Sequence, residues 1–170
     1  MVILIGGASH TGKTLLARRM LETHRYPYLS IDHLKMGLIR SGKTELTVFD
    51  DDKLTDALWP IVREIIKTVI ENHQNLILEG CYIPFSWRDS FEKSYLPHIR
   101  CRWLVMTEHY IRHHFGEIRD YANVVERRLD DSALSMEALI RENRQNLENC
   151  CRFGCEYILI DEDYDVEWVL

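Results

Sequence analysis

Residues 7–14 read Gly7-Ala8-Ser9-His10-Thr11-Gly12-Lys13-Thr14, which fits G-x-x-x-x-G-K-[ST] at every fixed position. The stretch before it, Met1-Val2-Ile3-Leu4-Ile5, is a short apolar run of the kind that forms a buried strand. The residues after it, Leu15, Leu16, Arg18, Arg19, Met20, Leu21 and Glu22, favour helix. Strand, glycine-rich loop and helix in that order commit this part of the chain to a βα unit. Glycines let the backbone turn tightly, so the loop formed by Gly7, Ser9, His10, Thr11, Gly12, Lys13, Thr14 and Leu15 can aim N–H groups at phosphate oxygens. The helix N-terminus adds unpaired donors and a dipole that favours anions. Lys13 suits the β- and γ-phosphates of a nucleotide, and Thr14 offers a hydroxyl to Mg²⁺.

The rest of the chain repeats the alternation. Further apolar runs at Tyr28–Ile31, Leu76–Leu78, Cys101–Met106 and Tyr157–Ile160 read as strands. Between them lie helical patterns. The first runs from about Gly12 to Thr23, and a short one carries Leu34, Met36, Leu38 and Ile39. The clearest is an apolar stripe at 54, 57, 58, 61, 62, 65, 66, 69 and 70, preceded by Asp50-Asp51-Asp52 as a solvated helix start. Pro60 inside it predicts a kink or a restart. Helices are also expected over Trp87–Tyr95, within Tyr110–Arg128, and over Met136–Arg152 with Gly154 as C-cap. Five strands alternating with helices predict the α/β class: a parallel sheet covered on both faces, with right-handed crossovers.

At 170 residues the chain is expected to be one domain, residues 1–170. A net charge of −6 without a basic stripe argues against nucleic acid or an acidic membrane as partner. No apolar stretch approaches the roughly 18 residues that a membrane span requires, and the short apolar start lacks the basic flank of a signal peptide. Five cysteines, an odd number with Cys150 and Cys151 adjacent, suggest reduced thiols and a cytoplasmic setting. Nothing in the pattern specifies an oligomeric state.

Two carboxylates close apolar strands at their C-terminal ends, where parallel α/β sheets bind ligands: Asp32 and Glu79. Asp32 reads either as a group for chemistry or as a helix N-cap. Arg63, on the polar side of its helix, could reach a substrate or simply be exposed. Arg112, Arg119, Arg127 and Arg128 could close over phosphates, or could form a charged helix face with Glu117, Asp120 and Glu126. His109 and His113 have metal-ligand spacing, but no frame completes a zinc site. Cys150, Cys151 and Cys155 likewise lack a partner set and read as core or surface thiols.

On these residues the chain resembles the small P-loop kinases: nucleoside monophosphate, shikimate and gluconate kinases, chloramphenicol phosphotransferase and the zeta-toxin group. The resemblance spans the whole length, with the glycine-rich loop as its specific motif. It implies a three-layer P-loop NTPase fold with strand order 2-3-1-4-5 and a helical lid around residues 109–130. Glu79 would then stand beside the loop strand and Asp32 one strand further out, about 10 Å from it. The resemblance further implies Asp32 as base toward an acceptor hydroxyl, Glu79 as a Mg²⁺ or substrate ligand, and Arg112 with Arg127 or Arg128 as an arginine finger. Nucleoside monophosphate kinases usually carry Asp-Gly-Phe-Pro-Arg after the third strand, whereas this chain reads Glu79-Gly80-Cys81-Tyr82-Ile83-Pro84.

The expected activity is therefore ATP- and Mg²⁺-dependent transfer of a phosphoryl group to a small metabolite or sugar nucleotide. An adenylate-kinase-like enzyme and a slowly hydrolysing nucleotide-binding regulator are the alternatives. A guanine-binding Asn-Lys-x-Asp and an ABC-type Leu-Ser-Gly-Gly-Gln are both absent from the sequence.

Overall fold

The computed structural model describes residues 1–125 and 134–168. Five parallel strands form one sheet in the order β2-β3-β1-β4-β5. They are β1 (Val2–Gly7), β2 (Tyr28–Ser30), β3 (Leu76–Glu79), β4 (Ile99–Met106) and β5 (Glu156–Ile160). The helices are α1 (Lys13–His24), α2 (Ile31–Arg40), α3 (Asp51–Glu71), α4 (Glu108–Val125) and α5 (Met136–Phe153). The expected order and class are both present.

The central strand explains the three layers. Every residue of β1 is buried. Side chains alternate across a strand, so Val2 and Leu4 go to one face while Ile3 and Ile5 go to the other. The first face packs with Leu54, Leu58, Val62 and Ile66 of α3. The second packs with Leu16, Ala17 and Met20 of α1 and with Tyr110 and Ile111 of α4. Burial on both faces is what the continuous apolar runs required.

Several local expectations change. Trp87–Tyr95 is not an α-helix but two short 3₁₀ turns, Trp87–Ser90 and Leu96–His98, joined through an extended Phe91. The aromatic residues there act as plugs: Trp87 and Phe91 are buried and pack edge-on, and Phe91 also meets Trp59 of α3 edge-on. That inward packing uses a loop geometry, and Pro97 starts the next turn. Pro60 does not divide α3, which runs unbroken for 21 residues. Pro60 and Asp56 are exposed, so the carbonyl that loses its helical partner lies on the solvent side. A break does occur in α4, at His114, with φ −115° and ψ 15°. Among the described residues no helix is long and apolar enough to cross a membrane.

Candidate functional site

The glycine-rich loop joins β1 to α1 and is shaped by its two glycines. Gly7 has φ 143°, and a Cβ there would come within 2.7 Å of the Leu104 carbonyl oxygen. Gly12 has φ 83° and stands as N-cap of α1, where a Cβ would overlap the Tyr164 hydroxyl. Glycine is therefore required at both positions by conformation and by space. Inside the loop, Thr11 Oγ1 and Lys13 Nζ both donate to the Ala8 carbonyl, at 2.9 and 2.6 Å.

With glycine at the cap, α1 has no side-chain cap and no acidic residue in its first turn. Its first N–H groups are left to whatever anion lies before them, which is the geometry of a phosphate cradle. Lys13 is 6% exposed. Burial works against its ammonium, but Cys81, Glu79 and Asp32 around it more than offset that and raise its pKa.

Glu79 is placed by strand pairing. It lies opposite Ile5 of β1 and Ser30 of β2, so the sheet sets it between the loop strand and the strand leading to Asp32. Its side chain is buried, 1% exposed. Asp32 is in the first turn of α2, with Ser30 at the N-cap position. The N-cap alternative for Asp32 is thereby removed. Its Oδ1 instead accepts from Lys35 at 2.5 Å, and the same ammonium donates to the Tyr82 hydroxyl at 3.0 Å.

The oxygen donors suit a hard cation. Thr14 and Glu79 could supply a hydroxyl and a carboxylate, and Mg²⁺ commonly takes one or two such protein ligands and completes its shell with phosphate and water. Among the described residues no group of three His, Cys, Asp or Glu side chains could hold a metal alone. The His109 and His113 rings lie in contact, with centroids 4.2 Å apart and planes tilted by 38°.

Arg112 and Arg63 are each paired with a carboxylate of their own helix. Arg112 is held by Glu108, with Nε 2.9 Å and Nη2 2.7 Å from Oε1, while Arg144 of α5 takes Oε2 at 2.7 Å. The two arginines hold the Glu108 carboxyl below its usual range. Arg63 pairs with Glu64 and lines a surface depression of about 610 Å³ on the outer side of α3, with Pro60, Ile61 and Ile65. Arg127 and Arg128 lie outside the described residues. Cys150 and Cys155 are buried in the core, and Cys151 is exposed.

Three contributors carried no signal in the sequence. Lys35 sits one turn after Asp32 and resembles any helix-surface lysine. Cys81 is exposed, with Sγ 4.0 Å from Ser9 Oγ. Tyr164, in an acidic tail, donates its hydroxyl to the Thr11 carbonyl at 3.2 Å.

No protein-family model matches the chain, and no curated protein matches it. Solved structures do. A sugar kinase from Janibacter sp. HTCC2649 superposes with a TM-score of 0.58 at 14% identity, over 94% of this chain and 84% of that one. A shikimate kinase from Bacteroides thetaiotaomicron gives a TM-score of 0.56 at 14% identity, over 96% and 90%. Deoxyadenosine kinase from M. mycoides gives 0.55 at 12% identity, over 98% and 92%. The chain has the fold of the small P-loop kinases.

Proposed function

We propose that this protein is an ATP-dependent phosphotransferase that moves the γ-phosphoryl group of ATP onto a hydroxyl of a small metabolite or sugar nucleotide. The observation that carries this reading is the convergence on buried Lys13 of two carboxylates from separate elements, Glu79 at the end of β3 and Asp32 in the first turn of α2, which both act on its ammonium. A loop serving nucleotide binding alone would have no need of the second carboxylate, one strand further out.

In this reading the loop N–H groups and Lys13 hold the β- and γ-phosphate oxygens. The acceptor oxygen attacks the γ-phosphorus as the bond to the bridging oxygen of ADP breaks, and the hydroxyl proton passes to Asp32. Bound Mg²⁺, held through Thr14 and Glu79, would neutralise charge across the β- and γ-oxygens. Arg112, with Arg127 or Arg128, would serve as the arginine finger, and Arg112 would have to leave Glu108 to reach the phosphates. The Glu79-to-Pro84 segment favours an acceptor other than a nucleoside monophosphate.

The test is coupled ADP release from Mg-ATP with nucleoside monophosphates, UDP-glucose, D-gluconate, shikimate and deoxyadenosine, on wild type and Asp32→Asn. An acceptor should stimulate ADP release, and Asp32→Asn should lose that stimulation while still binding ATP. Abolished ATP binding in Asp32→Asn would instead assign Asp32 to the nucleotide site.

A further inference from the structure

An exposed acid–base pair three residues apart on a helix normally contributes little and leaves both side chains free to swing. Lys35 and Asp32 have that spacing but a different setting. The Lys35 side chain is only 14% exposed. Its ammonium reaches Asp32 Oδ1 at 2.5 Å and the Tyr82 hydroxyl at 3.0 Å, and it lies 5.0 Å from the centre of the Tyr82 ring. Tyr82 is itself buried, 5% exposed, and comes from the segment that follows Glu79. One cation thus ties the first turn of α2, which carries Asp32, to the loop that follows Glu79 at the end of β3.

We propose that Lys35 is the positioning residue for Asp32. It occupies Oδ1 and fixes the carboxylate plane, so that Oδ2, which makes no hydrogen bond among the described residues, is presented to the acceptor hydroxyl. A carboxylate held by one oxygen has lost the rotation that would otherwise spread its lone pairs over many directions, and orientation of this kind governs proton-transfer rates. The proton balance is simple: the acceptor proton goes to Oδ2, and Lys35 keeps all three of its own. Tyr82 supplies the second anchor that stops the ammonium from following the carboxylate. The inference rests on the phosphotransferase reading and assigns a role within it.

The experiment uses whichever of D-gluconate, shikimate, deoxyadenosine, UDP-glucose or a nucleoside monophosphate stimulates ADP release, with Lys35→Met, Lys35→Arg and Tyr82→Phe in the full chain. Lys35→Met should lower kcat by about 10- to 100-fold, while KM for ATP holds. Lys35→Arg should recover most of kcat, because a guanidinium can also grip a carboxylate oxygen. Adding Lys35→Met to Asp32→Asn should cost nothing further, since residues acting as a unit are not additive. Wild-type kcat in Lys35→Met would overturn the inference. So would an equal loss on adding Lys35→Met to Asp32→Asn, or failure of Lys35→Arg to rescue a folded protein. Those three results leave the phosphotransferase reading standing. If none of the acceptors stimulates ADP release, that reading fails and the role of Lys35 falls with it.

Discussion

Tyr164 and Thr11 are 153 positions apart in sequence, yet the phenolic hydroxyl donates to the loop carbonyl at 3.2 Å. The tail after β5 thereby braces the glycine-rich loop from outside, helped by Arg19 Nη1, which donates to the Val166 carbonyl at 3.4 Å. Tyr164→Phe should cost about 1 kcal/mol, the usual net worth of one such bond. Gly12→Ala should do much more. Its Cβ would overlap the Tyr164 hydroxyl, and a left-handed φ of 83° adds backbone strain, about 1–2 kcal/mol for an ordinary residue. ATP titrations on both variants check this: Gly12→Ala should bind weakly and Tyr164→Phe nearly normally. Full affinity in Gly12→Ala would show that the brace is not needed.

Lys13 is expected to be indispensable to turnover, but its substitution also disturbs the fold. With Lys13 and Glu79 both buried, Lys13→Ala removes a cation whose charge acts on the Glu79 carboxylate. We expect Lys13→Ala to lose at least about 100-fold in kcat and also to melt earlier. Lys13→Ala with Glu79→Gln should recover part of the Tm and none of the turnover. Calorimetry alongside ADP release separates the two effects, and a double variant that regains activity would remove Lys13 from the chemistry.

The same residues set an alkaline limit. Burial pushes the Tyr164 pKa from 10.0 up to about 12, and Lys13 is also raised above its ordinary 10.5. A group whose pKa is higher in the folded state is stabilising while protonated. Its contribution is complete below the unfolded value and disappears as pH climbs through the folded one. Stability should therefore decline from about pH 10, and Tyr164→Phe should flatten that decline. Urea midpoints measured across pH 8 to 12 decide the matter; a Tyr164→Phe curve parallel to wild type would contradict the assignment.

How much of this could be read from the sequence depends on the range of the interactions involved. The apolar runs at Val2, Leu76 and Tyr157 declare themselves because burial on both faces leaves no polar alternation. The glycines and Lys13 declare themselves because backbone geometry and phosphate chemistry admit few residue types. Trp87 to Tyr95 misleads because its aromatic spacing imitates a helix, while the packing partner, Trp59, is contributed from another element. Lys35 and Tyr164 are silent for the same reason: each acts through a residue, Tyr82 or Thr11, that only the fold brings near. The charge pattern around Arg112 left both readings open, and the structure pairs it with Glu108 and, through that carboxylate, with Arg144.

Cys81 offers a chemical probe of the site. It is exposed, lies within 4.0 Å of the Ser9 hydroxyl and hydrogen-bonds with Lys13, and desolvation raises its thiol pKa, so labelling is carried out on the alkaline side of neutral. A nucleotide seated on the loop would cover it. In a Cys151→Ser background, which removes the other exposed thiol, maleimide should modify Cys81 and Mg-ATP should slow that modification. Mass spectrometry of the labelled peptide gives the rate, and equal rates with and without Mg-ATP would place the nucleotide elsewhere.

Asn143 ties α5 to the end of β4. It is buried on α5, and its Oδ1 accepts the Met106 N–H at 2.9 Å while its Nδ2 donates to the Leu139 carbonyl at 2.9 Å. Met106 closes β4, next to the Thr107 N–H, which is already committed to the Ile160 carbonyl. Asn143→Leu would take this acceptor from the Met106 N–H and put an apolar side chain in its place. The cost of an unsatisfied buried donor is about 1–3 kcal/mol. In Asn143→Asp a protonated carboxyl would keep the acceptor and replace the Nδ2 donor by an O–H, whereas an ionised one would bury a charge, so at about pH 4 Asn143→Asp should lose less than Asn143→Leu. Thermal unfolding of the two variants at that pH should therefore rank leucine below aspartate. The reverse order would mean that Asn143 is held by packing, and that the end of β4 keeps its position without the side-chain acceptor.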